Sequence, residues 1–214
     1  MKGTLDYSPK EEKLNVISHA IGLALSILGL FFLLFRAVTY GNNWHIISFS
    51  VFGLSLVLLY AVSTFYHNAT NPKLRIKLKI LDHAAIYVLI AGTYTPFTLV
   101  TLSGSVAWTV FIATWGFALV GIILKLFFAG KYKLFSTIMY VFMGSIILFF
   151  IESLIERLPW AGIQWLFAGG ISYLIGAVFY SVKKIKYNHA IFHVFVLTGS
   201  FCHFLSIFLY VLPV

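Results

Sequence analysis

VISHAIGLALSILGLFFLLFRAV, residues 16–38, holds a single charged residue, Arg36. About 20 predominantly apolar residues in a helix cross the hydrocarbon core of a bilayer. The run is too long for a signal-peptide core and has no obvious small-residue cleavage site, so it is expected to stay in the chain as a helix. Six further runs of similar character follow, at about 45–66, 80–101, 106–128, 134–155, 161–182 and 190–212. They are continuous, whereas membrane strands would show short alternating segments. In lipid every backbone polar group needs an internal partner, and helices supply it.

Composition agrees. Hydrophobic residues make up 61% of the 214 and charged ones 10%, against roughly 45–50% and 25% in soluble domains. The expected fold is all-α: one seven-helix polytopic membrane domain over residues 1–214. Breaks fall where chemistry favours them. Gly41-Asn42-Asn43 closes the first turn, Asn71-Pro72 opens the second connection, and Ser103-Gly104-Ser105 makes the third. Gly130 ends the fourth span, Pro159 precedes the sixth, and Asn188 is placed to cap the seventh.

The net charge of +9 is distributed in a way that points to a membrane and away from nucleic acid. Lys2, Lys10 and Lys13 precede span one. Lys73, Arg75, Lys77 and Lys79 follow span two. Lys125, Lys131 and Lys133 surround the end of span four, and Lys183, Lys184 and Lys186 follow span six. The other side has only Arg36 and Arg157. The positive-inside rule therefore predicts a cytoplasmic N-terminus and an outside C-terminus. Trp44, Trp108, Trp160 and Tyr210 then fall near the outer interface as an aromatic belt. Rhodopsin-like receptors run the other way, and the seventh span has no lysine for a retinal Schiff base. Cys202 is the single cysteine, so no intrachain disulfide forms.

Ionisable groups in a span are costly and usually functional. Asp82, near the start of span three, is the only acidic residue well placed inside a predicted span. It shares the cytoplasmic-side depth with His19, His67, His83, His189 and His193. His189 and His193 are an i, i+4 pair on one helix face, and two such imidazoles can hold one metal ion. His67 can close a three-histidine set of the kind that binds catalytic zinc with one position open. Ser63 lies one turn before His67, and Asp82 is then free to act on or orient a bound water. Blander readings stand beside this one. An H-x-x-x-H spacing also arises by chance, interfacial histidines snorkel, and Asp82 can pair with a lysine or with His83. His203 lies roughly 15 Å deeper than His193 and is expected to bond a neighbouring helix. His45 is expected in the outer belt. Pro96, amid Thr93 and Thr95, is a kink whose freed carbonyls hydroxyls can satisfy. Gly22, Gly29, Gly169, Gly170 and Gly176 are expected to mark close helix packing.

Together these residues resemble the hemolysin III family, the bacterial branch of the progestin and adipoQ receptor family. The resemblance is carried by Ser63-x-x-x-His67, by Asp82, by His189-Ala-Ile-Phe-His193 and by His203. Glu11-Glu12-x-x-Asn15-x-x-Ser18-His19-x-x-Gly22 and Ala91-Gly92-Thr93-Tyr94-Thr95-Pro96-Phe97 add to it, and the match runs essentially the full length. It implies a multi-pass protein of the bacterial plasma membrane with zinc near the cytoplasmic face. His67, His189 and His193 would be the ligands, and Ser63 and Asp82 would hold or activate the zinc-bound water. The wider group, which includes the alkaline ceramidases, implies hydrolysis of a lipid amide, and the family name implies haemolysis. Three functions follow as expectations: a zinc-dependent hydrolase of a membrane lipid amide or ester, a membrane-homeostasis regulator or sensor with a structural zinc, and a cytolysin. In the hydrolase, Phe65, Tyr66 and Tyr94 are expected along the acyl-chain path. The cytolysin ranks lowest, because seven apolar spans without a soluble form would have difficulty leaving the producing cell.

Overall fold

A computed structural model describes residues 7–127 and 133–212. Its helices are α1 (Pro9–Tyr40), α2 (Asn43–Asn68), α3 (Pro72–Pro96) and α4 (Gly104–Phe127), then α5 (Lys133–Ser145), α6 (Ile151–Ile155), α7 (Trp160–Ser181) and α8 (Asn188–Ser206). Phe97–Thr101 and Ile207–Val211 widen into π-turns after α3 and α8, and a 3-10 segment, Ile146–Phe150, joins α5 to α6. Seven helical stretches among the described residues are long and apolar enough to cross a membrane; the fifth, Phe135–Ile155, combines α5, the 3-10 segment and α6. The expected all-α, seven-span architecture is the one observed. Gly130 and Lys131 lie outside the described residues, as do Lys2 and the last residue, Val214.

Two helices begin well before their apolar runs. α1 starts at Pro9, not near 16, and α3 at Pro72, not near 80. Hydropathy locates where a helix turns apolar, but caps and backbone bonding decide where it starts. The Ser8 hydroxyl accepts the Glu11 N–H, at 3.3 Å. The Asn71 side chain accepts from Lys73 and Leu74, at 3.0 and 3.2 Å. Proline follows each cap, at a position whose N–H would have no helical partner in any case. Asn71-Pro72 therefore launches α3 as well as ending the connection.

α2 packs between α1 and α3, α3 against α4, and α7 against α8, which returns to α1. α3 is the central span, 67% buried over its most apolar window, whereas Phe135–Ile155 is only 17% buried and peripheral. Phe49, Phe52, Leu56 and Tyr60 of α2 fill the core with Phe97, Val196 and Ile207. Large apolar side chains such as Phe31, Phe35 and Ile112 face outward, where in a bilayer they meet lipid. Trp44, Trp108 and Trp160 stand exposed in the opening turns of α2, α4 and α7.

Pro96 lacks an N–H, and the hydroxyls around it bond carbonyls one turn back: Thr93 to Leu89 and Thr95 to Ala91, at 2.8 and 2.9 Å. The Tyr94 hydroxyl repairs a different break. It donates toward the Met143 and Gly144 carbonyls, at 2.9 and 3.0 Å, and accepts the Ile147 N–H at 3.0 Å, where α5 gives way to 3-10 geometry.

Candidate metal centre

α8 begins at a tight corner. Tyr187 takes the left-handed conformation, φ 59°, at the cap position, which is uncommon for a bulky residue. Asn188, expected to be the cap, is instead the first helical residue. Its side-chain amide donates to the last-turn carbonyls of α7, Phe179 and Tyr180, at 3.3 and 3.0 Å. The next backbone N–H, of His189, has no partner within a new helix. It donates to the Glu11 carboxylate on α1, at 3.1 Å. The corner and the carboxylate together hold the histidine-bearing face of α8 against α1.

His189 and His193 leave that face one turn apart, and His67 comes from the last turn of α2. His189 Nε2 lies 3.2 Å from His67 Nε2 and 3.0 Å from His193 Nε2. Ligand atoms of the three lie within 4.8 Å of one another, and all three residues are buried. Three imidazole nitrogens brought this close suit a cation. A single Nε2 offers one lone pair or one hydrogen, so His189 cannot bond both neighbours well through that atom. Two of the three outer nitrogens support the same reading, while His189 Nδ1 has no hydrogen-bond partner among the described residues. His67 Nδ1 lies 2.7 Å from a Glu12 carboxylate oxygen, and His193 Nδ1 lies 3.3 Å from the Ser18 hydroxyl. Tyr7 stacks on the His189 ring, with centroids 4.4 Å apart.

The other expected site residues are distributed around this cluster. The rings of His19 and His193 are stacked. Ser63 is buried, and its hydroxyl has no hydrogen-bond partner among the described residues. Asp82 is buried as well; its carboxylate lies 3.4 Å from His83 Nδ1, which is 2.8 Å from the Lys79 carbonyl. His203 Nε2 donates to the Leu166 carbonyl on α7 at 3.1 Å, the neighbouring-helix bond expected of it. His45 shares a capping box with Asn42 at the start of α2.

Ser63, Asp82, His19, His189 and His193 all border one cavity of about 310 Å³. Away from them its wall is mostly apolar, with Ile86 and Ile90 of α3, Leu148 of the 3-10 segment, Ile171 and Leu174 of α7, and Phe192 of α8. Tyr94 borders it as expected. Phe65 does not; it points outward, 60% exposed, and Tyr66 packs against the His67 ring and beneath Arg75.

Glu11, Glu12 and Ser18 carry no site role in the sequence pattern, where Arg75 and Lys125 stand simply as connection charges. All but Ser18 are buried. A signal was present in Ser8-Pro9-Lys10-Glu11. Ser-x-x-Glu marks a helix start, which draws both glutamates into α1.

Fold and site together define a multi-pass helical membrane protein whose three clustered, buried histidines can hold a metal ion. The family model described as Haemolysin-III related matches residues 7–204, and the chain belongs to that family. It is 46% identical over 208 residues to "Hemolysin-3 homolog" of Bacillus subtilis (strain 168), covering 97% of this chain and 98% of that one. It is likewise 46% identical over 204 residues to "Hemolysin-3" of Bacillus cereus, covering 95% and 93%. A more distant likeness, 29% over 206 residues, reaches "Monocyte to macrophage differentiation factor" of Homo sapiens, covering 94% of this chain and 84% of that one.

Proposed function

We propose that this protein is a zinc-dependent hydrolase of a membrane lipid amide or ester, with its centre toward the cytoplasmic face. The reading is carried by the position of the histidine cluster beside a largely apolar cavity that Ser63 and Asp82 also border. His67, His189 and His193 are the residues to hold the ion. When bound, zinc supplies Lewis acidity, polarising a carbonyl and making water a usable nucleophile near neutral pH. The chain's own residues do the rest. Asp82 accepts a proton as the nucleophile attacks and returns it to the leaving group. The unpaired Ser63 hydroxyl orients water beside it. The apolar wall takes an acyl chain and excludes bulk water, which strengthens every charge interaction inside. α5 and α7 both line the cavity and pack sparsely on each other, and the acyl chain enters from the bilayer.

A second reading is a regulator or sensor in which zinc ties α2 to α8. In this reading Asp82, which borders the same cavity as His189 and His193, serves as a fourth ligand and not as a base. The relatives' name, Hemolysin-3, offers a third, cytolysis, for which no feature of the site gives a mechanism.

The test is elemental analysis and hydrolysis on one detergent-solubilised sample. Wild type is expected to hold one zinc per chain and to release fatty acid from a lipid amide or ester. His193→Ala is expected to lose both. Full zinc occupancy in a His67, His189 and His193 triple-alanine variant would place the metal elsewhere. Zinc without hydrolysis across a broad lipid panel would favour the regulator.

A further inference from the structure

The buried charges Glu12 and Arg75 stand immediately behind His67, on its Nδ1 side. One Glu12 carboxylate oxygen lies 2.7 Å from His67 Nδ1, and the other is bonded by the Arg75 guanidinium. Glu12, Arg75 and His67 are 6%, 4% and 4% exposed. Arg75 also donates through Nη1 to the carbonyls of Tyr66 and Ala69, at 3.1 and 3.3 Å. Those carbonyls belong to the end of α2, where a helix leaves acceptors without partners. The contacts close a ring: the end of α2 to Arg75 on α3, Arg75 to Glu12 on α1, and Glu12 back to His67 on α2.

We propose that Glu12, held in place by Arg75, is a positioning residue for the metal centre: it fixes His67 as the Nδ1–H tautomer and so presents the Nε2 lone pair to the ion. The proposal rests on the metal reading above and deepens it. An ionised carboxylate only accepts hydrogen bonds. At 2.7 Å it needs a hydrogen on Nδ1, because the alternative tautomer would aim a lone pair at a negative oxygen. The Asn15 side-chain amide, at 3.4 Å from the same nitrogen, is the longer contact and does not compete. With the hydrogen on Nδ1, Nε2 is bare and faces His189 Nε2, 3.2 Å away. Carboxylates that fix a ligating histidine in this way also raise its basicity. Arg75 determines which carboxylate oxygen remains for the histidine, and because it is tied to backbone at the end of α2 it holds Glu12 in register with the turn that carries His67.

This arrangement gives an isosteric substitution an unusual consequence. Glutamine has one acceptor and one donor where glutamate has two acceptors. Arg75 has only donors and takes the amide oxygen. The NH2 group is then left facing His67 Nδ1, which must become an acceptor. The ring changes to the Nε2–H tautomer and presents a hydrogen to the ion instead of a lone pair. Glu12→Gln therefore inverts the ligand while leaving its shape alone. Removing Arg75 from that variant frees the amide to turn over, so that its oxygen again accepts from Nδ1–H.

The test is zinc titrated into metal-free full-length protein in detergent, with thermal unfolding of the metal-free form measured alongside. Wild type binds zinc and His193→Ala does not; failure of either control overturns the metal reading, and this proposal with it. With both controls met, Glu12→Gln is expected to bind zinc roughly 10–100-fold more weakly, with a lower metal-free unfolding midpoint because Arg75 stays buried without its counter-charge. Glu12→Gln/Arg75→Met is expected to bind more tightly than Glu12→Gln alone, even if it unfolds at a lower temperature. Wild-type affinity in Glu12→Gln, or a double variant that binds no better than the single one, would overturn the proposal and leave the metal reading intact. Should the double variant not fold, 15N shifts of the His67 ring decide. Nδ1–H in the wild type and Nε2–H in Glu12→Gln support the assignment, and Nε2–H in the wild type overturns it.

Discussion

The ring of His19 lies nearly flat on that of His193, with centroids 3.5 Å apart and planes 16° from parallel. Its edge relation to Tyr60, at 5.1 Å, completes a small aromatic stack across α1, α2 and α8. Neither ring nitrogen of His19 has a hydrogen-bond partner among the described residues. His19 therefore contributes a flat surface that steadies His193, and the two unpaired nitrogens are a cost. Each buried unsatisfied polar group costs about 1–3 kcal/mol. His19→Phe keeps the surface and removes that cost. It is expected to unfold at or above the wild-type temperature and to keep zinc. His19→Ala is expected to lower both stability and zinc affinity. Thermal unfolding with and without zinc checks this, and loss of zinc in His19→Phe would make His19 a ligand.

Tyr94→Phe isolates the repair of the fifth span. The hydroxyl alone bonds the Met143 and Gly144 carbonyls and the Ile147 N–H. Its removal leaves backbone groups unpaired where water is scarce, at a cost of about 1–3 kcal/mol. Thermal unfolding of the purified variant measures it. An unchanged midpoint would mean that the break in the fifth span closes on itself.

These two relationships also show what was legible beforehand. The spans were readable because lipid demands long apolar runs, and His67, His189 and His193 because their depth and spacing depend only on helix geometry. The irregularity in the fifth span was marked by Gly144-Ser145, a pair found at helix kinks, but its partner Tyr94 lies 49 residues from Met143. The ring of Glu12, Arg75 and His67 stayed hidden for a similar reason. Polar residues at the edge of a span read as solvated until tertiary contacts bury them. Arg75 counted rightly as a positive charge of its connection, yet it is 4% exposed and bonded on several sides.

Gly169 tests how closely α7 and α8 approach. A Cβ there would collide with the His203 imidazole and lie 3.0 Å from the Gly199 carbonyl oxygen. Overpacking of this kind costs typically about 1–3 kcal/mol. Gly169→Ala is expected to lower the unfolding midpoint, whereas Gly170→Ala, with open space around the added carbon, is expected to leave it unchanged. Equal effects at the two positions would contradict the packing.

Orientation rests on charge. Thirteen lysines and arginines were assigned to one side and only Arg36 and Arg157 to the other. Reporter fusions at Lys184 are expected to report the cytoplasm and those at Ser103 the outside. The reverse result would move the histidine centre to the external face and remove the cytoplasmic part of the proposed function.

Asp82 separates the hydrolase from the regulator most sharply. It is buried, it borders the cavity, and its carboxylate lies 3.4 Å from His83 Nδ1. Asp82→Asn keeps the size and one acceptor oxygen but cannot take a proton near neutral pH. If the carboxylate serves as general base, the variant is expected to keep zinc and thermal stability while turnover falls by about 10²–10⁴-fold. If instead the carboxylate completes the coordination of a structural zinc, the same change lowers zinc occupancy and the unfolding midpoint together, whether or not any lipid is hydrolysed. Zinc content, melting and hydrolysis measured on one preparation distinguish these patterns. A variant at wild-type level in all three would leave Asp82 with no part in either reading, and the proton would then have to go to another group that borders the same cavity.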